Sequence, residues 1–169
     1  FYTRDFVEGL SLHDIFLKSE AHETPTLISP SSATMIMQQV ALTVGYAHNK
    51  GLSHQNLKPQ NIIVKEDGTT SVLDFGLVLP PGLVDSAHCK SHPFHFLSPA
   101  DQGDLVSADI FTLGLIYYKL LTGQMLTEPL HFPPAHPKIS GQLGHILTRC
   151  LHQNPENRYK NASSMARDL

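Results

Sequence analysis

Apolar positions recur along this chain at two different spacings. From about Ala33 to Asn49, Ile36, Val40, Val44 and Ala47 repeat at near-helical intervals, and Met37, Ala41 and Tyr46 widen the stripe. That pattern predicts a helix with one face on a core, closed by Gly51 as its C-terminal cap. Residues 107–123, "SADIFTLGLIYYKLLTG", are apolar on most sides. A helix of that kind belongs at the centre of the fold, here with Ser107 as its N-cap and Gly123 as its end. "SLHDIFLKS" carries Leu12, Ile15 and Phe16 at helical spacing behind a capping Ser11. Residues 140–152 and 161–169 predict two closing helices, with the turn "NPENR" between them.

The β signals are shorter. "FYTRDFVE" (residues 1–8) is a β-prone run that Gly9 breaks. "NIIVKE" and "SVLDF" flank "DGTT", and Asp67-Gly68 is a hairpin signal. Between the periodic segments lie a polar loop, "HETPTLISPSS", and an extended connection, "HFPPAHP". Residues 77–104 are rich in Pro, His, Gly and Ser without a period. A loop of that length inside a domain is usually functional.

Composition narrows the classes. With 169 residues, 41% of them hydrophobic and 16% charged, the chain can bury one substantial core. A net charge of −3 argues against a dedicated nucleic-acid or membrane-surface binder, which would be basic. Cys89 and Cys150 form no C-x-x-C motif. A reducing, cytoplasmic compartment is therefore expected. There is no run of 18 apolar residues, and the chain opens at Phe1 inside a strand-like run, as a piece of a longer protein would.

The chemistry concentrates around the hairpin. "HQNLKPQN" (54–61) precedes it and "LDFG" (73–76) ends it, with Asn61 and Asp74 thirteen residues apart. A hairpin brings its ends together, so an amide oxygen and a carboxylate would face one point. Such oxygens suit Mg²⁺, which binds few protein groups and keeps phosphates and waters. Lys58 stands where it would neutralise a transferring phosphate. A rival cluster is "HCKSHPFH": His88, Cys89, His92 and His95 are zinc-ligand types at compatible spacing, in a chain that already holds eleven histidines.

These motifs resemble the C-terminal lobe of a protein kinase, closest to the bacterial eukaryotic-like serine/threonine kinases. "DFVEGLSLHDIF" is similar to the hinge and first large-lobe helix, and "HQNLKPQNIIV" stands where the family has H-R-D-L-K-P-x-N. "LDFG" matches D-F-G, "FLSPADQ" the Y-x-[AS]-P-E-Q region, "SADIFTLGLIYYKLLTG" the central helix and "NPENRY" the closing N-P-x-x-R. Each motif alone is weak; together, in order, they are specific. The implied fold is α+β and mainly α-helical: a kinase-like large lobe over residues 1–169, with hinge (1–9), catalytic loop (54–61) and activation segment (74–100). The smaller N-terminal lobe, with its Gly-rich loop and strand Lys, is expected upstream.

The resemblance also implies roles. Asp74 and Asn61 hold Mg²⁺, Lys58 meets the γ-phosphate of ATP, Ile63 floors the adenine, and the backbone from Asp5 to Val7 meets its edge. His54 and Phe75 stack in the internal spine, Asp109 braces the catalytic loop, and Arg158 pairs with the Glu of the P-E motif. Several positions depart from the family. Asn56 replaces the catalytic Asp, Gln55 the neighbouring Arg, and Ala100 the P-E Glu, with Asp101 beside it as a shorter substitute. His92 and Pro93 replace the Gly and Thr of G-T-x-x-Y, and between Asp74 and Pro99 only Ser86, Ser91 and Ser98 carry hydroxyls of the Ser/Thr type. A general base contributes about 10²- to 10⁴-fold, and an amide cannot accept the proton. The expectation is a serine/threonine kinase homologue with weak or no phosphotransfer, a pseudokinase still binding Mg·ATP and acting as scaffold or regulator on a protein partner. The alternatives are an active but slow serine/threonine kinase acting on a protein substrate, and an interaction domain without nucleotide.

Overall fold

The structure, a computed structural model, describes residues 6–20, 28–76, 104–126, 139 and 141–169. Within them the sequence builds five helices and a small sheet. Strand β1 (Leu10–Ser11) leads directly into helix α1 (Leu12–Glu20), and α2 spans Pro30–His48. A 3-10 turn, Pro59–Asn61, then enters the hairpin β2 (Ile62–Val64) and β3 (Thr70–Val72). Helices α3 (Leu105–Thr122), α4 (Gly141–Cys150) and α5 (Ala162–Asp168) complete the described fold. The sheet order is β1-β2-β3, antiparallel throughout, with Leu10 opposite Val64 and Ile62 opposite Val72.

The central helix is α3. Ile110, Leu113, Ile116, Tyr117 and Leu121 along it are almost wholly buried. Burying each such side chain contributes about 1.5–3 kcal/mol, so this helix anchors the core. By length and hydropathy it would also cross a membrane, but 78% of it lies inside the fold, the expected state of a core helix. The stripe of α2 packs on it through Ala33, Ile36, Met37, Val40, Ala41 and Val44. At the end of α2 the Gly51 N–H donates to the His48 carbonyl and Leu52 N–H to Ala47, the paired bonds of a Schellman motif.

Local expectations shift in four places. Helix α2 begins at Pro30, not near Ala33, because Ser29 Oγ accepts from Ser32 N–H and Pro at the first helical position needs no donor. Tyr46 does not widen the stripe; it is 69% exposed, one residue beyond the buried arc. The N-cap of α3 is Asp104, whose carboxylate accepts from Ser107 N–H at 3.0 Å. Ser107 itself is buried one turn in. Among the described residues the first strand lies after Gly9, and Phe6–Glu8 are not in a strand. A side chain on Gly9 would stand 2.6 Å from the Val64 carbonyl oxygen, so the glycine lets the chain come alongside β2 and pair. Asp5, residues 77–103 (with the histidine cluster, Ala100 and Asp101) and all of "HFPPAHP" lie outside the described residues.

Candidate active site

The hairpin turn is set by local chemistry. Gly68 N–H donates to Lys65 O and Lys65 N–H to Thr69 O, while Asp67 Oδ1 accepts from both the N–H and the hydroxyl of Thr69. At the other end, Leu73 N–H donates to Asn61 O at 2.8 Å. The residues carrying Asn61 and Asp74 are therefore adjacent across the ladder. Asn61 is 4% exposed, and its Nδ2 donates to the Asn56 carbonyl at 3.0 Å. That bond occupies the amide nitrogen and leaves the amide oxygen for a cation. Asp74 sits at φ +62°, a conformation that costs a non-glycine residue roughly 1–3 kcal/mol unless its surroundings hold it.

The loop before the hairpin hangs on one carboxylate. Asp109, 3% exposed, starts the second turn of α3. Its Oδ2 accepts from His54 N–H at 2.6 Å and its Oδ1 from Gln55 N–H at 3.0 Å. His48 Nε2 donates to the same Oδ2 at 3.0 Å, because its Nδ1 accepts from Ala162 N–H at 3.3 Å. One buried acid thus ties α2, α3, α5 and the loop together. Gln55 is held at φ +66° by its bond to Asp109. A buried carboxylate must have such partners or lose several kcal/mol to desolvation.

His54 is itself buried, with its ring 4.5 Å from that of Phe75. Its Nε2 donates to the Leu73 carbonyl at 2.9 Å, and Asn56 N–H faces its Nδ1 at 3.4 Å. That is the pattern of a neutral ring. Burial pushes its pKa below the ordinary imidazole value, against the opposing pull of Asp109. His54 thus carries the strand before Asp74 and the backbone of Asn56 on one ring. Among the described residues the Asn56 side chain has no hydrogen-bond partner and is partly exposed. Lys58, in extended backbone, precedes the 3-10 turn that carries Asn61.

Above the sheet a cavity of about 360 Å³ is lined by Phe6, Val7, Gly9, Ser11, Asp14, Ile63 and Leu73. It brings Val7 and Ile63 to one space beside the hairpin. Asp14 is held at its rim by Ser11, in a reciprocal capping box at the start of α1. Arg158 lies lower, 1% exposed. Its guanidinium donates to the carbonyls of His152, Gln153 and Ser107 and to Ser107 Oγ, and stacks 4.7 Å from the Phe111 ring.

Sequence reading passed over His48. The signal was available: His48 falls on the buried stripe of α2, and a polar side chain there must have a partner. Gln39, whose amide reaches the hairpin from α2, was passed over too.

As for a metal, Asp74 and Asn61 offer a carboxylate and an amide oxygen at neighbouring ladder positions, and oxygen donors of this kind fit Mg²⁺. Among the described residues no cluster of three or more His, Cys, Asp or Glu side chains is present, so a nitrogen- or sulfur-rich centre is not formed there.

Comparison with known proteins agrees with this arrangement. The family model described as "Protein kinase domain" matches residues 3–168. The chain is 26% identical over 189 residues to serine/threonine-protein kinase PknB of Mycobacterium tuberculosis, covering 98% of this chain and 29% of that protein. It is 25% identical to serine/threonine-protein kinase PrkC of Bacillus subtilis, with 98% and 28% covered. A probable serine/threonine-protein kinase of Clostridium perfringens is 29% identical, with 98% and 26% covered. The chain spans less than a third of the length of these relatives. With its mainly helical lobe, its hairpin and its motifs in order, it belongs to the protein kinase family, as a homologue of the bacterial serine/threonine kinases.

Proposed function

We propose that this chain is the large lobe of a pseudokinase: a serine/threonine kinase homologue that binds Mg·ATP and has weak or no phosphotransfer. The observation that carries the reading is Asn56. It occupies the general-base position of a loop whose first three backbone N–H groups are held by Asp109 and His54. An amide oxygen can accept a hydrogen bond from a substrate hydroxyl and orient it, but it cannot take the proton. Asp74 and Asn61 would hold Mg²⁺, and bound Mg²⁺ would neutralise phosphate charge. The Lys58 ammonium would meet the γ-phosphate, and the cavity between Val7 and Ile63 would take the adenine. Residues 1–9 act as hinge and 74–100 as activation segment, and a smaller lobe completes the nucleotide site in the whole protein. The partner is a protein, met as scaffold or regulator in a reducing cytoplasm. A free, buried Cys150 is consistent with that compartment.

A second reading, a slow but working serine/threonine kinase, draws on the same loop. Phosphoryl transfer passes through a loose transition state in which positioning and electrostatics carry most of the catalysis, and Lys58, Asn61 and Asp74 keep the residue types of the family pattern. The deciding experiment is γ-phosphate transfer by the full-length protein beside a Lys58→Ala, Asp74→Ala control. Labelling equal to the control supports the pseudokinase; labelling above it supports the slow kinase. Melting with and without Mg·ATP decides the remaining alternative. A ligand at 100 times its Kd stabilises the native state by about 2.7 kcal/mol, and no shift at all means an interaction domain without nucleotide.

A further inference from the structure

We infer that Gln39 is a positioning residue, the group that fixes the spacing of Asn61 and Asp74 from the far end of their hairpin. The functional side of this inference rests on the Mg·ATP reading above.

The hairpin alone is too small to hold that spacing. Its strands are three residues each, and its third partner, β1, is two residues long. A hairpin of this size is marginal in water. In the ladder, Thr69 and Leu73 turn their backbone groups toward β2. In an antiparallel pair the groups of alternate residues point the other way. Gly68 and Thr70 therefore face outward from β3, which among the described residues is an edge strand in the order β1-β2-β3. An uncovered edge leaves donors and acceptors unpaired.

Gln39 covers that edge. From the middle of α2 its Oε1 accepts from Thr70 N–H at 2.9 Å, and its Nε2 donates to the Gly68 carbonyl at 3.1 Å. One side-chain amide thus supplies the acceptor and the donor that a fourth strand would bring. The fork ties β3 to α2, and α2 is fixed in the core by Met37 and Val40 on either side of Gln39. From Thr70 the chain runs through Val72 and Leu73 straight into Asp74. Asn61 is set separately, by the 3-10 turn and its bond to the Asn56 carbonyl. Gln39 therefore governs one of the two oxygen donors and not the other. Releasing it lets β3 shift against β2 and loosens the Leu73–Asn61 bond that joins the pair.

The test uses the full-length protein with Gln39→Met, which keeps length and loses both bonds, and Gln39→Glu, which keeps only the acceptor. The loss of both hydrogen bonds sets the expected scale. In the nucleotide-free protein, exchange of the Leu73 amide should quicken about tenfold in Gln39→Met and less in Gln39→Glu, with the α3 amides unchanged. Leu73 exchange equal to the native protein overturns the inference, and so does a uniform rise across all amides, which would mean general destabilisation. ATP affinity is then measured with Mg²⁺ and with chelator. The gain that Mg²⁺ brings should fall several-fold, on the order of tenfold, in Gln39→Met, while affinity without metal stays within about twofold. An undiminished Mg²⁺ gain overturns the functional side of the inference. If the native protein shows no Mg²⁺-dependent affinity, the nucleotide reading fails, and the exchange of Leu73 alone decides whether Gln39 sets the spacing.

Discussion

Beneath residues 54–61, one buried carboxylate accepts from two consecutive loop N–H groups and from His48, and the ring of His54 carries the strand that follows. Above the same residues, position 56 bears an amide where the family has an acid, and position 55 a glutamine where it has an arginine. The lower region is tied by hydrogen bonds among buried groups; on the reading proposed above, the upper region has changed in parts that chemistry needs. The two demands are physically separable. An unpartnered buried group costs stability whatever the protein does, whereas the partly exposed side chain at position 56 can change from carboxylate to amide at little cost in folding.

The comparison breaks most readily from below. Asp109→Ala should destabilise the fold by about 3–5 kcal/mol, the cost of leaving buried partners uncompensated, read from denaturant midpoints. A loss under about 1 kcal/mol would mean that the loop is held by something other than the bracket. Packing nearby should be the next most sensitive. A Cβ on Gly45 would collide with the Ser163 backbone nitrogen. Gly45→Ala should therefore force α2 from α5 at a cost of about 1–3 kcal/mol, seen as a lower melting temperature.

His54 sharpens the comparison through pH. Its folded-state pKa is depressed by burial below the ordinary 6.5. Below pH 6.5 the unfolded chain takes up a proton that the folded chain refuses, so stability is lost on acidification and is retained above that pH. The slope reaches at most about 1.4 kcal/mol per pH unit for one group. His54→Phe should flatten the fall in unfolding free energy between pH 7.5 and pH 5.5 relative to the native protein; an identical slope would place the acid sensitivity elsewhere. At the small end, Tyr46→Ser should change stability by no more than about 0.5 kcal/mol, because Tyr46 is largely exposed. A larger loss would mean that this face of α2 is covered.

Periodicity made the two central helices legible because both repeat an apolar face over four or more turns. Helix starts were less legible. Ser107 and Asp104 are both good N-caps by type, and only the buried role of Ser107 as an acceptor for Arg158 separates them. The strand at Leu10–Ser11 was not legible because its pairing depends on a glycine's fit against Val64, a contact between distant residues that no local pattern reports. That the hairpin's ends meet beside Asn61 was legible, because a hairpin fixes where its ends go, and the Leu73 N–H bond to Asn61 closes it. Gln39 was not, since a glutamine on a half-exposed helix face looks like a solvated residue until the strand beside it is known.

The most direct measurement is γ-phosphate transfer by the full-length protein and by Asn56→Asp, beside Asn56→Asp combined with Asp74→Ala. If the loop is a kinase loop with its base removed, the native protein stays at background and Asn56→Asp rises by about 10²- to 10⁴-fold, a gain that Asp74→Ala abolishes. Transfer by the native protein at the level of Asn56→Asp would show that position 56 is not where the chemistry was lost.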